Sequence, residues 1–171
     1  QSSDGEYYDI ADYSHVQAGP GILLVAYEAN ISMDNGDNRL GLLYNRKQSL
    51  QGSNQERLRS VFRAALECCR RIEEEPSLQG KLRFRGDETL FLINDRPLAP
   101  TTEETFRVVK PDLEELARTM YGGADFILER GAEEPRKRFR VQIKTPVSFD
   151  VMALLTNLKE KSVNAAGRPV N

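Results

Sequence analysis

Basic side chains are the densest set of groups in this sequence that could bind another molecule. They alternate along two predicted strands and are Arg83, Arg85, Arg138, Arg140 and Lys144. Alternate residues of a strand share one face, so neighbouring strands would form a basic surface for an anionic ligand or RNA phosphates. The competing interpretation is cross-strand ion pairing, with Glu129 opposite Arg138 as the predicted pair. No aromatic side chain lies among them on that face to stack bases, which favours ion pairing.

Acid–base catalysis has only scattered candidates. His15 is the only histidine and could serve as a general base, because its charge changes near neutral pH. Glu28, Asp34 and Arg39 could join it if the fold brought their loops around one pocket. No serine or cysteine nucleophile is related to His15 by a recognisable spacing. We therefore favour a protein that is not an enzyme, and keep a small-molecule enzyme with loop-borne acid and base residues as the alternative.

Metal binding and thiol chemistry have simpler explanations. Asp34, Asp37 and Asn38 offer oxygen ligands, but a calcium loop needs more ligands and a distant bidentate acid. The same residues are typical of a turn. Cys68 and Cys69 are adjacent, which disfavours a disulfide between them, and Cys69 falls on the apolar stripe of a predicted helix. We expect no metal site, no cofactor and no reactive thiol.

The elements that position these groups begin with residues 19–45, where an Asn35-Gly36 pair separates two apolar runs. Asn-Gly favours a two-residue type I′ turn, because both turn positions need a positive φ. Counting outward from the turn places one apolar set on a single face. The predicted pairs are Tyr27 with Tyr44, Ala29 with Leu42, and Ile31 with Leu40. Residues 22–27 are apolar without alternation, so we predict that this half of one long strand lies inside a sheet.

The most clearly marked helix follows this hairpin. Ser53 and Glu56 have the spacing of a capping box, in which each residue's side chain accepts from the other's backbone N–H. The apolar stripe behind them includes Leu58 and Phe62 at helical spacing, and Pro76 ends the helix. We expect this helix to lie across the apolar face of the first hairpin.

Two further helices are predicted. Pro111 suits the first position of one helix, and Gly122-Gly123 ends it. Residues 101–109 before Pro111 are ambiguous between helix and strand. Ser148 caps the last helix. The predicted buried stripes are Leu113, Leu116, Ala117 and Met120 in the first of these helices, and Val151, Leu154, Leu155 and Leu158 in the second.

Two further hairpins complete the pattern. Residues 81–93 are predicted to pair across a Gly86-Asp87 turn. Residues 124–144 are predicted to pair across a polar loop at 131–136, with Arg130 opposite Lys137. The result is an α+β fold, in which three hairpins share one mostly antiparallel layer and about three helices pack on one face.

Composition bounds the remaining functions. The chain has 171 residues and a net charge of −2, so it lacks the charge excess that steers proteins to nucleic acid or anionic membranes. No apolar run approaches the roughly 20 residues of a membrane span. No secretory signal is recognisable either, so we expect a cytoplasmic protein. We expect one domain over 15–159, a flexible or loosely docked arm over 1–14 and a polar tail over 160–171.

The favoured function is therefore a non-catalytic module for protein interaction or ligand binding. Self-association through an exposed sheet edge or face would make it a homo-oligomer. The enzyme is the first alternative, and binding of RNA or another polyanion on the arginine-rich strand face is the second.

Overall fold

The computed structural model describes residues 9–13, 15, 21–35, 39–78 and 80–159, and the chain forms two compact units, Gln1–Leu82 and Arg83–Asn171. Within the described residues, three α-helices and two antiparallel sheets confirm the predicted α+β class. The single layer expected from the sequence is wrong, because the strands divide into a four-stranded and a three-stranded sheet. The tail 160–171 and residues 1–8 of the arm lie outside the described residues. One domain over 15–159 stays a prediction.

The first unit contains a four-stranded antiparallel sheet whose strands follow chain order. They are β1 (Asp9–Tyr13), β2 (Gly21–Val25), β3 (Ala29–Asp34) and β4 (Gly41–Arg46). β2 pairs with β1 on one side and with β3 on the other, which confirms the interior position predicted for its apolar run.

A tight turn interrupts the long strand that the sequence predicts. The N–H of Ala26 donates to the C=O of Ala29 (3.0 Å), so Tyr27 and Glu28 occupy the turn. Tyr27 is 79% exposed, and its predicted pairing with Tyr44 is wrong. Tyr27 and Glu28 are not residue types that mark turns, so the local sequence carries no signal for this break.

β3 and β4 pair four residues away from the predicted register. The observed pairs include Ala29 with Arg46, Ile31 with Tyr44, and Met33 with Leu42. An even shift keeps each side chain on its predicted face, because strand side chains alternate with a period of two. The connection spans residues 35–40 in place of a two-residue turn at Asn35-Gly36, and residues 36–38 lie outside the described residues. This longer loop pairs Met33 with Leu42 and leaves Leu40 68% exposed.

Helix α1 (Asn54–Glu73) begins where the sequence predicts. The N–H of Glu56 donates to Ser53 Oγ (3.3 Å), and the N–H of Ser53 donates to Glu56 Oε2 (2.7 Å), which completes the capping box. These hydrogen bonds lower the pKa of Glu56. Phe62 is buried, and the helix contacts β4 of the predicted hairpin. A short 3-10 turn at Pro76–Leu78 follows the end of the helix.

The second unit contains α2 (Glu103–Met120), α3 (Val151–Lys159) and a three-stranded antiparallel sheet. Its strands are β5 (Glu88–Ile93), β6 (Ile127–Arg130) and β7 (Phe139–Lys144), in the order β5-β7-β6. The sheet buries Phe139, Val141 and Ile143 on its inner face, and all three are 0% exposed.

The second predicted hairpin is wrong, because residues 81–85 form no strand and β5 pairs with β7. Gly86 is a close backbone contact instead of a turn residue. Its N–H donates to the C=O of Phe149 (3.1 Å), and a Cβ at this position would lie 2.4 Å from that oxygen. The chain entering β5 is therefore held against the segment that precedes α3. β5 pairs with the distant strand β7, in which Ile143 lies opposite Thr89.

The third hairpin exists, again with a register four residues from the prediction. Leu128 lies opposite Ile143, and Arg130 lies opposite Val141 instead of Lys137. The shift lengthens the loop and removes the predicted Glu129–Arg138 pair. Lys144 Nζ approaches Glu129 Oε2 (2.5 Å), whereas Arg138 Nη1 donates to Asn94 Oδ1 (3.1 Å).

Helix α2 resolves the ambiguity at residues 101–109 in favour of helix. It begins after Thr102, whose Oγ1 accepts from the N–H of Thr105 (3.3 Å), and continues through Pro111. The start predicted at Pro111 is wrong, since proline removes one N–H while the apolar stripe of the helix stays packed. The predicted stripe is buried throughout, and Gly122 and Gly123 end the helix at positive φ.

Helix α3 buries the four apolar residues that the sequence predicts. Its cap is Asp150, whose Oδ1 accepts from the N–H of Ala153 (2.7 Å), and not Ser148. The carboxylate reaches the third N–H of the helix, which is the usual geometry of an N-cap.

The backbone contact at Gly86 predicts the cost of adding one methyl group. Gly86→Ala is expected to lower the free energy of unfolding by about 1–3 kcal/mol, because the Cβ collides with a backbone oxygen that cannot move independently. Urea unfolding followed by circular dichroism measures the change. Gly41→Ala is the control, because a Cβ there meets nothing within 4 Å. Equal losses in the two variants would contradict this role of Gly86.

Candidate functional site

The acidic candidates for catalysis lie apart. Glu28 lies in the β2–β3 turn, where its Oε2 pairs with Arg46 Nη1 (2.7 Å). Asp34 is the last residue of β3, and six residues of strand separate it from Glu28 by about 20 Å. His15 is exposed beyond the end of β1, and Arg39 is exposed before β4. The sheet therefore holds Glu28 at one end and Asp34 at the other.

Four of the five basic candidates divide between the two ends of the second sheet, and Arg140 lies within β7 opposite Leu92. Arg83 and Arg85 precede β5, at the end of the β5–β7 pair where Glu88 lies opposite Lys144. Arg138 precedes β7 at the other end, about five residues or 17 Å away along the strand. Neighbouring carboxylates also neutralise some of these charges. Arg85, for example, donates two hydrogen bonds to the carboxylate of Asp87 (3.1 and 2.6 Å).

The outer edge of β5 is a candidate binding surface that the sequence did not identify. The C=O of Asp87 accepts from the N–H of Thr145 (3.0 Å), so the bonds to β7 continue at every second residue after Asp87. The N–H and C=O groups of Leu90 and Leu92 then point away from β7. Within the described residues of the second unit, these groups have no hydrogen-bond partner. We call this row of groups the β5 edge.

Apolar side chains occupy both faces of β5. Phe91 lies opposite buried Val141 on the inner face, and Ile93 lies opposite buried Phe139. Leu90 lies on the outer face opposite Gln142 and is 48% exposed. The strand therefore combines an apolar surface with unpaired backbone groups.

The other described edge strands carry charges that discourage pairing with another chain. β1 has Asp9 and Asp12, β6 has Glu129 and Arg130, and β4 has Gly41 at one end and Arg46 at the other. Glu88, at the start of β5, is its only charged residue, and the strand has no proline, glycine or lysine. Natural edge strands usually carry such residues, so the β5 edge is suited to pairing with another strand.

The β5 edge was missed because the sequence supplied an apparent partner. Residues 81–85 alternate like a strand and precede a Gly-Asp pair, so they accounted for one side of residues 88–93. The feature of the sequence that could have identified the edge is the unbroken apolar run from Leu90 to Ile93. No charged residue lies directly beside the C-terminal half of this run.

Buried titratable groups in the described residues have structural roles. Tyr121 is 1% exposed and packs against Phe126 and Phe149, with ring centroids 6.4 and 5.4 Å away. Burial raises the pKa of Tyr121, and although Thr89 lies near its hydroxyl, the two do not reach hydrogen-bond geometry. The described residues contain no group of three His, Cys, Asp or Glu side chains placed to hold a metal ion.

Comparisons with protein-family models, with curated proteins and with solved structures give no match. In the described part of the chain, no helix has the length and apolar character needed to cross a membrane. Function must therefore be inferred from the surfaces themselves.

The environment of Cys69 predicts an unreactive thiol. Burial, followed by the charges of Cys68 and Glu73, raises the pKa of Cys69 to about 12. In a Cys68→Ala variant at pH 8, Ellman's reagent should react with Cys69 at least about a hundredfold more slowly than with an exposed thiol, because burial, the largest cause of the raised pKa, remains and little thiolate is present. The same variant in concentrated urea is the control and should react at the ordinary rate. Rapid reaction of the native variant would contradict the prediction.

Proposed function

We propose that this chain is a non-catalytic interaction module that pairs its β5 edge with the β5 edge of a second copy. The observation that supports the proposal is the row of unpaired N–H and C=O groups on Leu90 and Leu92. Antiparallel pairing of two identical strands would satisfy these groups and join two three-stranded sheets into one of six strands. Such an interface is isologous, because each copy contributes the same surface.

The sequence of β5 suits pairing with itself. Centring the two-fold axis on Leu90 sets Leu90 against its copy and Glu88 against Leu92. Centring it on Phe91 sets Leu90 against Leu92 and Glu88 against Asn94. Neither register places like charges opposite each other, which would oppose association. The exposed half of the Leu90 side chain would also be covered by an apolar residue in both registers.

The alternatives have less support. An enzyme built on Glu28 and Asp34 would need side chains that lie at opposite ends of β3. A polyanion surface on the strand face would need one continuous basic patch, whereas Arg85 and Lys144 lie at one end of the sheet and Arg138 lies at the other. We also place the protein in a reducing compartment, the cytoplasm, because Cys68 and Cys69 are both free thiols.

Self-association can be tested by measuring mass. At about 100 µM, light scattering coupled to size exclusion should give twice the mass of one chain. Leu90→Lys should raise the dimer dissociation constant by at least about tenfold, because it places a lysine opposite a second lysine in one register and opposite Leu92 in the other. Ile127→Lys is the control, since Ile127 is 54% exposed on the other edge strand of the same sheet. A wild-type mass of one chain, or equal effects of the two substitutions, would overturn the proposal.

Amide exchange measured by NMR tests the same pairing at the level of single residues. The amides of Leu90 and Leu92 should exchange more slowly as the protein concentration rises, because only the dimer gives them acceptors. The amides of Phe91 and Ile93 already donate to β7 and should change little. Concentration-independent exchange at Leu90 and Leu92 would show that the edge remains unpaired.

A further inference from the structure

Three arginines gather where the β5–β7 ladder ends. Ile93 lies opposite Phe139, and continuing this register places residue 94 opposite residue 138 and residue 96 opposite residue 136. The hydrogen bonds agree, because Arg138 Nη1 donates to Asn94 Oδ1 (3.1 Å) and Arg96 Nη1 donates to the C=O of Arg136 (3.1 Å). We call Arg96, Arg136 and Arg138 the arginine cluster, and all three residues are exposed.

The carboxylates nearest in sequence are engaged elsewhere. Glu134 Oε1 pairs with Lys137 Nζ (2.9 Å), and Glu133 Oε2 lies 3.9 Å from Arg130. Asp95 Oδ1 accepts from the N–H of Leu98 (3.1 Å). Among the described residues, the three guanidinium groups of the arginine cluster therefore form no ion pair.

We propose that the arginine cluster binds a short acidic segment of a partner protein. A guanidinium group presents a planar set of N–H donors that matches a carboxylate, and three of them from two loops can receive several acidic side chains. Leu98, two residues from Arg96, is 83% exposed and offers an apolar contact beside the charges. A segment that combines acidic residues with an apolar residue matches both features.

The same surroundings disfavour a nucleic acid. The side chains of Glu133 and Glu134 keep 61% and 46% of their surface exposed beside the cluster, and they would repel a continuous line of phosphates. Three cations would neutralise few phosphates, and the chain as a whole carries a charge of −2. A short acidic peptide needs only the cluster itself.

Fluorescence anisotropy tests the proposal with a labelled peptide of four glutamates around one leucine, and with its glutamine counterpart. The full chain should bind the acidic peptide, more weakly as salt is added, and should not bind the neutral one. Arg136→Gln combined with Arg138→Gln should weaken binding about tenfold, since each lost surface contact is small. Arg118→Gln is the control, because Arg118 is an exposed arginine in the last turn of α2.

Three results would overturn this proposal. They are no binding of the acidic peptide at about 1 mM, equal weakening by the control substitution, and tighter binding of a single-stranded RNA than of the peptide at the same salt concentration. The inference is independent of self-association, because no residue of β5 takes part. Leu90→Lys should therefore bind the peptide as the wild type does, which separates failure of one proposal from failure of the other.

Discussion

The pairing of β5 with β7 is the interaction on which the second unit and both proposals depend. It joins residues 88–93 to residues 139–144 and buries Phe139, Val141 and Ile143 on one side of the sheet. Because β7 occupies one side of β5, the opposite side becomes an edge. Because the ladder stops at Ile93 and Phe139, the loops beyond it bring three arginines together. One long-range pairing thus creates both surfaces.

The two surfaces differ in the kind of interaction they offer. The β5 edge presents backbone groups and apolar side chains, which suit an apolar strand of matching shape. The arginine cluster presents charges that have no carboxylate partner among the described residues. These charges suit an anionic segment, and their attraction depends on ionic strength. Their positions, one along the strand and one beyond its end, allow each to be occupied without the other. A module of this kind could join copies of itself while holding a further protein.

The predictions for the first and third hairpins have the correct strand faces but the wrong registers. Both predicted registers differ by four residues from the observed ones, yet each side chain keeps its predicted face, because alternation survives any even shift. The face of a strand is determined by its own alternating pattern. The register depends in addition on loop length and on packing beyond the hairpin, and neither can be predicted from the Asn35-Gly36 pair. The turn at Tyr27 and Glu28 was not predicted, because neither residue is of a type that marks turns.

Features that depend on neighbouring residues could be predicted from the sequence. These include the capping box at Ser53, the buried stripes of the helices, the alternation of strand faces and the α+β class. Three features became apparent only in the folded chain: β5 pairs with β7, Gly86 contacts Phe149, and Arg96 approaches Arg136 and Arg138. Caps and periodic patterns arise from interactions within a few residues, whereas the choice of a strand's partner depends on contacts between segments that are distant along the chain. Both candidate surfaces belong to the second kind, so neither could be assembled from spacing alone.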